Sequence, residues 1–139
     1  MHDNLERFIE PQRIDYQRAL SEIKNGRKQS HWMWYIFPQI AGLGFSETSR
    51  FYAIRDLDEA TAYFQHKILG TRLVEISEVL LQLPTNNAHQ IFGSPDDMKL
   101  QSSITLFSLV EPTNPVFQAV LDKFFNGKPD QKTIQLLNL

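Results

Sequence analysis

The stretch Ser94-Pro95-Asp96-Asp97-Met98-Lys99-Leu100-Gln101-Ser102-Ser103-Ile104-Thr105-Leu106-Phe107-Ser108-Leu109-Val110 decides the fold. It opens with helix-start chemistry: Ser94 as N-cap, Pro95 at the first helical position, and Asp96 and Asp97 against the positive end of the helix dipole. Beyond it, Met98, Leu100, Ile104, Leu106, Phe107 and Leu109 point nearly all round the axis, and the polar positions are the small Ser102, Ser103, Thr105 and Ser108. A helix with no wide polar face has neighbours on several sides. Small hydroxyl residues let those neighbours come close. Glu111-Pro112 ends the run. The expectation is a central buried helix over about 95–110 inside an all-α bundle.

Its neighbours read as helices too. Over residues 68–83, Leu73, Val74, Ile76, Val79, Leu80, Leu81 and Leu83 cover a wide arc, with Thr71, Glu75, Glu78 and Gln82 as a narrow polar stripe before Pro84. Asn114-Pro115 opens a helix over 116–125 that Asn126-Gly127 stops, and 133–137 form a terminal helix. Asp56-Leu57-Asp58-Glu59 is a capping-box pattern opening residues 60–64. Residues 16–24 end at Asn25-Gly26, residues 5–9 read as a short helix halted near Pro11, and a glycine-bounded connector precedes a helix near 49–54. No convincing strand alternates with period 2. Seven to nine short and medium helices in one compact domain over 1–139 are expected.

Composition agrees with a globular chain. At 139 residues it buries roughly two-thirds of its unfolded surface, and 42% hydrophobic with 22% charged residues is far from a disordered composition. A net charge of −2 removes the electrostatic reason to expect nucleic acid or an anionic membrane as partner. The absence of cysteine excludes a disulfide scaffold, a thiolate metal site and a Cys nucleophile. The N-terminus lacks a basic start followed by an apolar stretch, and the longest apolar run, residues 32–38, is far shorter than the roughly 20 residues of a membrane span. A cytoplasmic protein is expected.

Aromatic residues, at 12%, concentrate in Arg27-Lys28-Gln29-Ser30-His31-Trp32-Met33-Trp34-Tyr35-Ile36-Phe37-Pro38-Gln39. If Ser30 caps a short helix, Trp32, Tyr35, Ile36 and Gln39 share one face, and His31, Trp34 and Pro38 another. One face then packs in the core while the other lines a cleft, where indole suits a flat ring and Lys28 an anion. On the 94–110 helix, Asp96, Lys99 and Ser103 share a face, so a carboxylate, an ammonium and a hydroxyl point together. A Lys–Ser pair four residues apart is a base–nucleophile arrangement in principle; an Asp96–Lys99 surface ion pair is the plainer account. Ala41-Gly42-Leu43-Gly44-Phe45-Ser46 fails as a dinucleotide fingerprint, since Glu47 stands where a third glycine is needed and no strand precedes it. Its backbone amides remain available for an anion. No metal-binding histidine spacing, nucleophile elbow or phosphate loop occurs, so neither metal nor cofactor is expected.

The long run 27–39, followed by Gly42-Leu43-Gly44, Tyr52-Ala53-Ile54 and Phe92-Gly93-Ser94-Pro95-Asp96-Asp97, resembles the domain-of-unknown-function 1810 family over nearly the whole chain. The resemblance implies a compact, all-helical bacterial protein of the cytoplasm. It brings no reaction with it, and a "calpastatin" label on some members finds no support in these residues. The family's recurring stretches fall on Lys28, Ser30, His31, Trp32, Trp34 and Gln39, and on Asp96, Lys99, Ser102, Ser103 and Thr105. Ile104 and Thr71 depart from the common Met and Pro.

Two readings follow. In one, the His31/Trp34 face meets the Asp96/Lys99/Ser103 face to bind a nucleotide-like or phosphorylated metabolite, with His31 or Asp96 doing acid–base work and Lys28, Ser30, Trp32, Trp34, Tyr35 and Gln39 holding the ligand. In the other, the chain is a helical interaction or structural module with Trp32 or Trp34 exposed on a flat surface. A monomer or weak dimer suits either.

Overall fold

A computed structural model describes residues 4–138; His2 and the start of the N-terminal stretch lie outside them. The described residues form nine helices: α1 (Glu6–Lys24), α2 (Met33–Ile36), α3 (Glu47–Phe51), α4 (Leu57–Gln65), α5 (Leu69–Gln82), α6 (Ala88–Phe92), α7 (Asp96–Ser108), α8 (Pro115–Phe125) and α9 (Gln131–Leu136). The fold is all-α. A lone parallel bridge between Ile40 and Ile54 accompanies them. One contiguous hydrophobic core runs through the bundle.

α7 is the central element. It packs against α4, α6, α8 and α9 and buries Leu100, Ser102, Ser103, Ile104, Thr105, Leu106 and Phe107. Met98, by contrast, is 65% exposed. The helix begins one step later than its sequence suggests. Pro95 is the N-cap, and Ser94 makes no capping bond. The Gly93 carbonyl accepts the Asp97 N–H at 2.9 Å and the Asp97 carboxylate accepts the Met98 N–H at 2.9 Å, so the cap role is already filled.

α1 also differs. Pro11 lies inside it, and one helix replaces the two expected. A mid-helix proline costs about 3 kcal/mol, but Phe8, Tyr16, Leu20 and Ile23 on the same stripe are buried. Burial stabilises by about 1.5–3 kcal/mol for each such apolar side chain, so packing overrides the breaker. At its end, Gly26 at φ +79° lets the Gly26 N–H reach the Ile23 carbonyl at 2.8 Å and the Arg27 N–H reach the Glu22 carbonyl at 3.0 Å. That double bond pattern is a Schellman stop.

α3 lies earlier than expected. Ser46 caps it by accepting the Ser49 N–H at 3.0 Å, and Ile54 is given over to the bridge. α5 follows its periodicity, with Thr71, Glu75, Glu78 and Gln82 exposed, and packs on α1, α4 and α8. The α4–α5 corner turns on Gly70, where a Cβ would stand 1.8 Å from the Phe64 carbonyl oxygen. Gly70→Ala is expected to destabilise by about 1–3 kcal/mol or more through this backbone clash. Thr71→Ala, one position on and exposed, should change stability by less than about 0.5 kcal/mol. Urea midpoints for the two variants give the comparison.

Candidate functional site

The aromatic segment is held by a carboxylate rather than by a cap. Glu22 accepts hydrogen bonds from Gln29 N at 2.8 Å, Ser30 N at 3.0 Å, Ser30 Oγ at 2.6 Å and Trp32 Nε1 at 2.9 Å. Ser30 therefore caps nothing; α2 is a single turn whose N-cap is Trp32. Burial works to raise the Glu22 pKa, but the hydrogen bonds from Ser30, Gln29 and Trp32 outweigh it and hold the carboxyl below its ordinary range. Trp32 is fully buried in the core. Tyr35 is buried as well, its hydroxyl donating to Asp15, and burial together with that bond raises its pKa.

The two candidate stretches meet. Lys28 Nζ, nearly buried, lies 2.9 Å from Asp96 Oδ2, donates to the Ser30 carbonyl at 2.5 Å and sits 5.0 Å from the Trp32 ring centroid. Asp96 Oδ1 is 3.5 Å from Lys99 Nζ, and that ammonium sits 5.1 Å from the Trp34 ring centroid, within cation–π range. Lys28, Asp96, Lys99 and Trp34 thus form one connected cluster. His31 is exposed, and its imidazole has no partner among the described residues. Ser103 is fully buried, its hydroxyl lacking a hydrogen-bond partner among the described residues. It therefore does not present a nucleophile beside Lys99.

Trp34 and Gln39 line a pocket of about 110 Å³ with Gly42, Leu43, Gly44, Ser49, Arg50 and Tyr52. The bridge builds it: Ala41 N donates to the Ile54 carbonyl and Ile54 N to the Gln39 carbonyl, each at 2.8 Å, drawing the glycine connector against residues 49–53. The approach is tight, for a Cβ on Gly44 would stand 2.6 Å from Ser49 Cβ and Oγ. Neither the Gly42 nor the Gly44 N–H is engaged by another described residue. Arg50 is exposed, and its guanidinium makes no hydrogen bond or ion pair with the described residues.

Arg7 fixes the other side of that wall. Its Nε donates to the Phe51 carbonyl at 2.9 Å, and its Nη2 donates to the Ala53 carbonyl at 2.8 Å and to Glu59 Oε1 at 2.9 Å. Nη1 donates to Glu59 Oε2 at 3.3 Å and to the Asn4 carbonyl. Arg7, Arg50 and Glu59 are absent from the sequence-derived site. The helix dipole sufficed to explain Glu59, and nothing local marks either arginine. Among the described residues no three His, Asp or Glu side chains cluster closely enough to hold a metal ion, and no helix is long and apolar enough to cross a membrane.

Two predictions test these assignments. Glu22→Ala is expected to destabilise by about 1–3 kcal/mol at neutral pH, because it leaves the buried Trp32 N–H without an acceptor. Because the folded pKa is lowered, the charged carboxylate's stabilisation is complete above the ordinary carboxylate pKa and fades as pH falls through and below it. The gap between wild type and Glu22→Ala should therefore narrow in acid urea titrations. Ser103→Ala, which removes an unpaired buried hydroxyl, should raise stability by on the order of 1 kcal/mol. A clear loss on the same assay would show that the hydroxyl is bonded.

Comparison with known proteins places this arrangement in a family. No curated protein matches the chain. It is similar to the conserved hypothetical protein Rv1873 from Mycobacterium tuberculosis, whose crystal structure superposes with a TM-score of 0.95 at 43% identity, covering 98% of this chain and 97% of that one. The model of the family described as protein of unknown function (DUF1810) matches residues 2–137. The chain belongs to the DUF1810 family.

Proposed function

We propose that the protein binds a small phosphorylated metabolite in the pocket walled by Trp34, Tyr52 and the Gly42–Gly44 connector, with Arg50 meeting the anion. The observation that carries this is the unpaired Arg50 guanidinium beside unengaged backbone amides and an aromatic wall in one concavity. A guanidinium fork and backbone N–H groups recognise phosphate oxygens by charge-assisted hydrogen bonds.

Size narrows the ligand. About 110 Å³ is less than the ~150 Å³ of a cavity that accepts benzene, so the pocket encloses a phosphate and little more. The body of the ligand lies across the rim, against Trp34 or the exposed Phe45 and Phe51. Lys28, Asp96 and Lys99 act here as positioning residues, holding the indole through their ion pairs. Binding is favoured over catalysis because Ser103 is interior and His31 is not part of the pocket lining. The alternative reading, a docking module, draws on the exposure of Phe45 and Phe51 beside the same pocket.

The test is tryptophan fluorescence with inorganic phosphate and fructose monophosphate. Trp32 is sealed in the core, so a ligand-induced change reports on Trp34. Saturable change is expected, absent in Trp34→Phe, with affinity lowered at least about tenfold in Arg50→Ala, in line with loss of a charge-assisted contact. Silence at ten-millimolar anion, together with an unmoved melting temperature, would overturn the proposal and leave the docking reading.

A further inference from the structure

The α4–α5 corner carries a groove that shares no residue with the Trp34 pocket. It holds about 500 Å³, within the roughly 300–1,000 Å³ of small-molecule sites. Half-buried Phe64 and Val74 give it an apolar floor, and Phe64 is braced by the edge-on ring of Phe117, with centroids 5.7 Å apart. The polar groups change sign from end to end: His66 and Lys67 stand just before α5, and Glu75 and Glu78 stand further along it. His66 Nδ1 accepts the Ile68 and Leu69 N–H groups at 3.1 and 3.3 Å. That settles the tautomer of the neutral ring, with the proton on Nε2 as a donor. Neither Nε2 nor the Lys67 ammonium is engaged by another described residue. Glu75 takes the Tyr16 hydroxyl on Oε1 and keeps Oε2, and the Glu78 carboxylate has no partner among the described residues. Arg72, the one cation of α5, is turned to Gln12 and the Tyr16 ring and does not line the groove.

We infer that this groove binds a small aliphatic zwitterion, an ω-amino acid whose carboxylate meets Lys67 and His66 Nε2 while its ammonium meets Glu75 and Glu78. Unspent charge of opposite sign at the two ends of one apolar floor carries the inference. A ligand of one sign satisfies one end and leaves the other facing solvent. The zwitterion satisfies both by charge-assisted hydrogen bonds, and its methylenes lie over Phe64 and Val74. Length follows from the helix. From residue 67 to residue 75 the helical rise is about 12 Å. A chain of five methylenes holds its end charges about 7 Å apart, and a hydrogen bond of about 3 Å at each end completes the span. An α-amino acid, with its two charges on neighbouring atoms, does not bridge it.

The experiment is an amide-shift NMR titration of the intact protein with 6-aminohexanoate, hexanoate and hexylamine. Saturable shifts centred on residues 64–78 are expected, with 6-aminohexanoate binding at least about fivefold tighter than either single-charge chain. The shorter 4-aminobutanoate should bind more weakly than 6-aminohexanoate. Lys67→Gln should weaken 6-aminohexanoate and hexanoate and spare hexylamine; Glu78→Gln should weaken 6-aminohexanoate and hexylamine and spare hexanoate. Both side chains are exposed, and unchanged melting temperatures of the variants separate lost contact from misfolding. No shifts at about 10 mM 6-aminohexanoate, shifts centred elsewhere, equal affinity for the three chains, or variants that weaken all three alike would each overturn the inference. Phosphate binding at the Trp34 pocket should be the same in both variants, so the two sites fail or stand separately.

Discussion

A guanidinium taken into the interior must find an acceptor for each of its five N–H groups, and that requirement on Arg7 organises this side of the molecule. The side chain, 9% exposed, reaches both oxygens of Glu59 and the carbonyls of Asn4, Phe51 and Ala53. One residue of α1 thereby ties down the chain leaving α3 and the first turn of α4. Turning the Phe51 and Ala53 carbonyls elsewhere would strand a buried charge, which is costly even when one partner remains. With those carbonyls fixed, Ile54 lies alongside Ile40, and the pocket is the space left between the two backbones.

The other end of α1 does the same for the opposite wall. Glu22 gathers the amides of residues 29 and 30, the Ser30 hydroxyl and the Trp32 indole. Pinning Trp32 inward, at the start of a one-turn helix whose Met33, Tyr35 and Ile36 are also buried, leaves Trp34 as the aromatic that faces outward. Lys28 and Lys99, bridged by Asp96, then hold the start of α7 against this segment. Two charged residues nearly a full helix apart, Arg7 and Glu22, therefore place the two walls of the candidate pocket. α1 must be continuous for this to hold, and it runs through Pro11 without interruption.

Of the candidate pocket, the sequence singled out Trp34 and Gln39 as ligand-holding residues and the 42–44 connector only for its amides. Reactive residue types cluster in 28–39 and 96–103, and the structure joins Lys28 and Trp34 to Asp96 and Lys99. Ser103 reads as a polar stripe member in one dimension, yet α7 has neighbours on that side and the hydroxyl is sealed in. Arg7 and Arg50 look like ordinary surface arginines, because their importance comes from residues about 50 and 10 positions away in the sequence: Glu59 with Arg7, Gln39 with Arg50. Glu59 has a sufficient local explanation as a first-turn carboxylate, which hides its burial against Arg7.

What the sequence by itself determined is whatever acts within a turn or two of the chain. The stop at Asn25-Gly26, the Asp56 and Asn114 caps, the polar stripe of α5 and the apolar girth of α7 are all local or periodic signals. They suffice for an all-α bundle around a central helix. Tertiary structure decided the rest: the passage of α1 through Pro11, the start of α7 at Asp96, which tryptophan turns inward, and the pocket beside Arg50. Apart from the start of α7, which bonds within residues 93–98 set, each of these is settled by burial or by a partner outside its own stretch of chain. Such partners meet only once the bundle has closed, so no local pattern encodes them.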